Sequence, residues 1–323
     1  MDGRVVRASA LTLEGPSVYS LLGLPGGGVA TGHTDGSIRL WDSEFKEQAV
    51  LTDGGHSEPV SCLVSGPSGE LVSGAHDTTV KVWKGAACVL TCEGHRDMVK
   101  AVGISAAGDI IVSGSLDCTA KVWSASTGEC IATLEGHSQF VKGVCILPSG
   151  DVFTASDDET ARRWKAGSYA LDGTDSLVFQ ANSMATTPDG DIVLGGGFTS
   201  MDLGTVAVRR GDTERYGFMT DLAVTQVAVQ SEFVIACTDS SVTVHEGRKR
   251  VAVWDATAPR VAALSGGGIA VVETGNKCTL WSLVKRSRLA TIHTMVTTWS
   301  ANGGEPPASA PASKEDELAS LLS

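Results

Sequence analysis

Aromatic side chains are scarce in this chain, at 5% of 323 residues, while glycines number 38. That balance suits short strands joined by many tight turns and argues against long packed helices. Basic residues are also in short supply. Lys and Arg total 25 against 37 Asp and Glu, a formal net charge of −12. Broad nucleic-acid binding needs a basic footprint, so no specific nucleic acid is expected as a partner. No apolar run near the amino terminus is long enough for a signal peptide, and none elsewhere approaches a membrane span. The expected location is therefore cytoplasmic, with the nucleus as the alternative. The eight cysteines form no CxxC pair, and the lone CxxxC of Cys88 and Cys92 has no second ligand pair. A metal site is not expected, and thiols placed in strand-like text suit buried free cysteines in a reducing compartment. Glycine-rich phosphate loops, HExxH and GxSxG are all missing, so no cofactor is expected. The triplets Gly195–Gly197 and Gly266–Gly268 fall between strand-like runs and read as turns.

What the chain does have is a repeat. From Gly94 to Trp123 it reads GHRDMVKAVGISAAGDIIVSGSLDCTAKVW, three short apolar alternations separated by turn residues. The same text runs from Gly55 to Trp83 and from Gly136 to Trp164. Units of about 40 residues, each too small to bury its own surface, are the pattern of propeller blades. These residues resemble WD40 repeats. The resemblance implies an all-β, seven-bladed WD40 propeller over residues 1–300, with a short disordered tail over 301–323.

Counting tryptophans extends the repeat. Trp41, Trp83, Trp123 and Trp164 recur at nearly equal steps, and Trp281 lies three further steps on. Blade five is placed at Met184–Arg209, with Arg209 at the tryptophan position; blade six falls at Thr225–His245 and blade seven at Val261–Trp281. Val251–Trp254 reads as an outer strand. Residues 4–15 read as the last strand of a blade, because Leu11–Gly15 matches Ala132–Gly136. Two segments compete for the closing edge of blade seven: the amino-terminal one, which we favour, and Arg288–Thr294. The Pro/Ala/Ser-rich stretch from Ala301 reads as a flexible linker. Beyond it, Ser313–Leu322 could form a short amphipathic helix that docks on a partner; a disordered tail is the preferred reading.

The resemblance also assigns roles to the recurring polar residues. His56, Ser73, Asp77 and Trp83, then His95, Ser113, Asp117 and Trp123, then His137, Thr154, Asp158 and Trp164 match the family's structural tetrads. In those, the indole, hydroxyl, imidazole and carboxylate hydrogen-bond in series. Histidine, serine and aspartate together could suggest a hydrolase, but their recurrence in three adjacent units favours architecture over catalysis. Blade one keeps Thr31, Asp35 and Trp41 and lacks the corner histidine, with Pro16 in its place; blade six keeps Asp239; blades five and seven lack the set. Blades five to seven are expected to be the less rigid half.

In the family, partners meet the face formed by the Gly-His corners. Residues expected there are Tyr19, Glu58, Asp97, Met98, Lys100, Gln139, Phe140 and Lys142, although Met98 and Phe140 could instead tuck beneath their own loops. A second surface follows from charge alone. Residues 205–290 hold eleven basic and eight acidic side chains within a chain of net −12. Arg209, Arg210, Arg248, Lys249, Arg250, Lys285 and Arg286 each follow the third strand of a blade, so they should share the opposite face and could meet an acidic partner.

The function expected is a non-catalytic protein-interaction scaffold, an adaptor subunit that is monomeric by itself within a larger intracellular complex. A narrower alternative is a ubiquitin-pathway adaptor binding ubiquitin or a peptide on the propeller face, because Thr187–Val193 (TPDGDIV) resembles the propeller of the phospholipase-activating-protein family. A hydrolytic enzyme is the remote alternative.

Overall fold

A computed structural model describes residues 4–198, 201–210, 213–264 and 267–284. Lys285, Arg286, Arg288–Thr294 and the tail beyond Ala301 lie outside the described residues. The chain opens with β1 (Arg4–Thr12). Blade one follows as β2 (Val18–Gly23), β3 (Val29–His33), β4 (Ile38–Trp41) and β5 (Glu47–Leu51). Blade two holds β6 (Val60–Ser65), β7 (Leu71–Ala75), β8 (Val80–Lys84) and β9 (Ala87–Cys92). Blade three is β10 (Val99–Ile104), β11 (Ile110–Ser115), β12 (Ala120–Ser124) and β13 (Cys130–Leu134). Blade four is β14 (Val141–Ile146), β15 (Val152–Ser156), β16 (Thr160–Trp164) and β17 (Leu171–Ser176). Blade five is β18 (Gln180–Thr186), β19 (Ile192–Gly197), β20 (Gly204–Arg210) and β21 (Thr213–Thr220). Blade six is β22 (Gln226–Gln230), β23 (Phe233–Cys237), β24 (Ser241–Glu246) and β25 (Lys249–Asp255). Blade seven begins with β26 (Arg260–Ala263), β27 (Gly268–Glu273) and β28 (Lys277–Val284).

Each blade is a four-stranded antiparallel sheet in chain order, except the seventh, whose outer strand is β1. β1 pairs with β28 from Arg4 opposite Val284 to Thr12 opposite Lys277. The amino-terminal segment therefore closes the ring, as favoured above, and no sheet edge is left between first and last blades.

Cohesion comes from the seams between blades. Second strands are buried along their whole length in blades one, two, four, five and six. Val72, Val80 and Val82 of blade two pack with Val99, Ile111 and Trp123 of blade three. At the closing seam, Leu21, Val29 and Trp41 meet Ala262, Ala270, Val272 and Leu280. Asn276 fastens that seam. Its carbonyl oxygen accepts from Val18 N at 2.9 Å, and its amide donates to the carbonyls of Gly15 and Pro16 at 3.0 and 2.8 Å. Asn276 sits at φ 60°, in the left-handed region that asparagine tolerates better than most residues.

One turn assignment needs correcting. Gly195–Gly197 lie inside β19 and are buried. Their lack of a side chain is what lets neighbours approach: a Cβ on Gly196 would stand 1.9 Å from the Gln180 carbonyl oxygen, and one on Gly195 2.4 Å from Val227. Sequence adjacency suggested a turn, whereas the requirement is close strand packing.

Candidate interaction face

In blade three, Trp123 Nε1 donates to Ser113 Oγ at 2.8 Å, Ser113 Oγ lies 2.7 Å from His95 Nε2, and His95 Nδ1 lies 2.8 Å from Asp117. A carboxylate can only accept, so His95 Nδ1 carries the proton and Nε2 accepts from the serine. Blade two repeats the series through Trp83, Ser73, His56 and Asp77, and blade four through Trp164, Thr154, His137 and Asp158. Each aspartate also receives backbone N–H groups: Asp77 from Ser57 and Thr79, Asp117 from Arg96 and Thr119, Asp158 from Ser138 and Thr160. Burial opposes ionisation of Asp77 and Asp117, yet these hydrogen bonds prevail and hold both carboxyls well below the usual range. For His137 burial dominates and lowers the imidazole below its ordinary value. Ser113 is 0% exposed and its oxygen is already bonded to indole and imidazole. The arrangement braces a turn against a strand and leaves no open position beside the hydroxyl.

Blade one holds a surprise. It has an imidazole after all, supplied from within the second strand. Trp41 Nε1 donates to Thr31 Oγ1 at 2.8 Å, Thr31 Oγ1 lies 2.7 Å from His33 Nε2, and His33 Nδ1 donates to the Pro16 carbonyl at 2.8 Å. Pro16 occupies the corner where the other blades place histidine, and its carbonyl replaces the carboxylate. Asp35 instead binds its own turn through Ser37. Its place within β3, away from the corner, hid this residue; a histidine two residues after the threonine on the strand before Trp41 was the available signal.

Blades five to seven substitute other contacts. The bulge that marks each tryptophan position falls at Arg209 in blade five and at His245 in blade six. Arg209 pairs with Asp175 at 3.2 Å. His245 stacks on Phe218 with ring centroids 3.5 Å apart and 6° between planes. Burial, helped by Arg250, lowers the His245 pKa to about 4. In blade seven Trp281 donates to Thr279 and stacks on Trp254 at 4.1 Å. Asp239 is exposed.

Around the Gly-His corners, Glu58, Gln139 and Phe140 are exposed, and Tyr19, Asp97, Met98, Lys100 and Lys142 are half-buried. Phe140 is 39% exposed, so its ring does not tuck beneath its loop. At the other end, Arg209 and Arg210 finish β20, and Arg248, Lys249 and Arg250 surround the β24–β25 turn. Arg210 pairs with Asp191 at 2.5 Å and Arg215 binds the same carboxylate. Of the basic surface anticipated there, Arg209 and Arg210 are thus engaged by Asp175 and Asp191, Arg248, Lys249 and Arg250 are exposed, and Lys285 and Arg286 lie outside the described residues.

The eight cysteines are free. Burial pushes the thiols of Cys145, Cys237 and Cys278 up to about 12, which suppresses the reactive thiolate. Among the described residues no three His, Cys, Asp or Glu side chains gather to hold a metal ion, and no helix is long and apolar enough to cross a membrane.

The family model "WD domain, G-beta repeat" matches residues 8–42, 46–84, 86–124 and 128–165. Residues 8–165 of the chain are WD40 repeats. Those four matches run from β1 through β16 of blade four and end beside Trp164, the last tetrad tryptophan. Among curated proteins it is similar to phospholipase A-2-activating protein of Xenopus laevis, 41% identical over 25% of this chain and 10% of that protein. Nuclear distribution protein PAC1 of Komagataella phaffii is 36% identical over 26% of the chain and 18% of its own length. Pre-mRNA-processing factor 19 of Bos taurus is 33% identical over 26% and 17% respectively. Each likeness spans less than a fifth of the relative, so it carries the repeat and not the whole protein's role.

Proposed function

We propose that this WD40 ring is a non-catalytic scaffold, an adaptor subunit that holds a protein partner on its Gly-His-corner face within an intracellular complex. The observation that carries the reading is the division of labour at that end of the ring. Histidines, serines and aspartates that could do chemistry are sealed into braces, while Phe140, Glu58 and Gln139 stand in solvent around them. Large exposed side chains on a rigid support are the usual anchors of an interface. The test is affinity purification from native cells with wild type and with a Glu58→Lys, Phe140→Ala variant. Loss of a defined set of co-purifying proteins with the variant is expected; an unchanged set overturns the placement, and turnover of simple esters or phosphate esters by pure protein overturns the non-catalytic reading.

Ubiquitin is a narrower candidate partner, suggested by the resemblance of Thr187–Val193 to the propeller of the phospholipase-activating-protein family. Titrating isotopically labelled ubiquitin with the pure ring should shift a contiguous patch of its resonances, and a flat titration removes that candidate.

A further inference from the structure

Along the ring axis lies a cavity of about 280 Å³, lined by the innermost strands of all seven blades. Its polar lining includes Lys100, Lys142 and Arg260 together with Tyr19, Asn182 and Gln226, and no carboxylate. In a chain of net charge −12, three cations line a concavity that includes no acid, and although Lys142 is offset by Asp157 the other two concentrate positive potential there, because low-dielectric walls focus the field.

The backbone explains why these side chains meet. The first strands of blades one to five each carry a register shift near their start, at Tyr19, Ser61, Lys100, Lys142 and Asn182. A bulge there re-aims one side chain per blade away from the blade interior. Lys142 is already engaged, 2.7 Å from Asp157 and 3.2 Å from Asn182 Oδ1. Lys100 and Arg260 are not matched by acids: among the described residues neither makes an ion pair. Lys100 reaches from blade three to the Tyr19 hydroxyl at 3.4 Å, and its ammonium stands 5.2 Å from the Tyr19 ring centre. Arg260, from blade seven, donates to the Tyr19 carbonyl at 2.9 Å, with its guanidinium carbon 5.7 Å from the same ring. Tyr19 thus holds two cations in place on its ring. Beside it His76, 5.1 Å away edge to face, keeps a buried Nε2 without a partner.

On the same end of the ring stands exposed apolar surface. Leu177 and Phe179 are buried at the β17–β18 connection, which turns Val178 between them outward at 77% exposure, and Phe140 occupies the preceding Gly-His corner. Acids at this end include Glu58 and Asp97 on their loops, the exposed Asp35, Asp202, Asp221 and Asp239, Asp157, which is taken by Lys142, and Asp77, Asp117 and Asp158, which are held by their histidines.

We infer that the axial cavity is an anion-receiving pocket, in which Lys100 and Arg260 bind an acidic side chain of a partner peptide whose neighbouring apolar residues rest on Phe140 and Val178. The inference deepens the adaptor reading above and rests on it. It places the specificity at the axis, where two cations from different blades can close on one carboxylate or phosphate oxygen set.

The probe is a fluorescein-labelled peptide of sequence Gly-Leu-Glu-Glu-Leu-Glu-Gly, followed by fluorescence anisotropy, with its all-glutamine counterpart as control. The acidic peptide should bind and the glutamine peptide should bind at least tenfold more weakly. Lys100→Gln with Arg260→Gln should weaken the acidic peptide at least tenfold, whereas Lys100→Arg with Arg260→Lys, which keeps both charges, should stay within about threefold. Arg248→Gln, Lys249→Gln and Arg250→Gln, a larger charge change at the far end, should stay within twofold. No binding of the acidic peptide, equal binding of both peptides, or a larger loss from the far-end variant overturns the pocket. Native-cell purification separates the two readings. Partners lost with Phe140→Ala but kept with Lys100→Gln, Arg260→Gln leave the adaptor standing and remove the pocket; partners kept with both remove the adaptor face itself.

Discussion

Blades two to four and blades five to seven share one topology and solve the same problem differently. In the first group a buried indole, hydroxyl and imidazole are each supplied with a partner by the next member of the series. In the second, aromatic stacking and ion pairs stand in the same places: Phe218 on His245, Trp254 on Trp281, Arg209 against Asp175. The substitution is incomplete, because both His245 nitrogens and Trp254 Nε1 are buried without a hydrogen-bond partner. The propeller therefore does not require the tetrad to form. What the tetrad adds is a partner for each of its own buried polar atoms, and an unmet group of that kind costs about 1–3 kcal/mol.

The sharpest way to break this comparison is truncation of its centrepiece. Trp123→Ala removes a fully buried ring and one of the two partners of Ser113, and should cost about 3–5 kcal/mol by chemical denaturation. Trp281→Ala, at a partly exposed ring, should cost clearly less; equal losses would mean that the two halves are braced alike. Next in size is the closing seam. Asn276→Ala deletes three hydrogen bonds across the ring and places alanine at a positive φ, for an expected loss of about 3 kcal/mol. Hydrogen exchange should then rise first in blades seven and one.

Ser113→Ala leaves the Trp123 indole N–H and His95 Nε2 facing each other unpaired and should cost about 2 kcal/mol, with little change in fold. His245→Phe works in the opposite direction. Its folded pKa of about 4 lies below the ordinary 6.5, so the unfolded chain binds more protons in between. The stability held by neutral His245 is complete above pH 6.5 and is lost as pH falls toward 4. The phenylalanine variant should gain about 1 kcal/mol at neutral pH, with the gap widening at pH 5, measured by thermal melts at both values. A gap that narrows on acidification would show that His245 is not held neutral. The smallest effect belongs to Arg248→Glu, Lys249→Glu, Arg250→Glu, which should change stability by less than about 0.5 kcal/mol because all three are exposed, Arg248 in the turn and the other two at the start of β25. Loss of a co-purifying protein with that variant would restore the far end as a binding surface.

Much of this was legible in the chain itself. Repeated Gly-His, Asp and Trp at fixed spacing located the blades, and the likeness of Leu11–Gly15 to Ala132–Gly136 pointed to the strand that closes the ring. The reason is that each blade folds on local hairpins, so its signals lie within a few dozen residues of one another. His33 escaped because it reaches the hydroxyl from the same strand, two residues after Thr31, and not from the corner loop that precedes the blade. The triple glycine of β19 was read as a turn because nothing in the text shows a neighbouring strand pressing against it.

Local sequence, then, determined the strands, the turns and three of the braces, since those depend on residues that are neighbours along the chain. Only the closed ring decided which side chains share the axis. Tyr19 meets Arg260 across 241 positions of sequence, and Asn276 meets Val18 across 258. No period within one blade encodes those distances; they exist because seven wedges of similar angle bring the first and last strands to the same place.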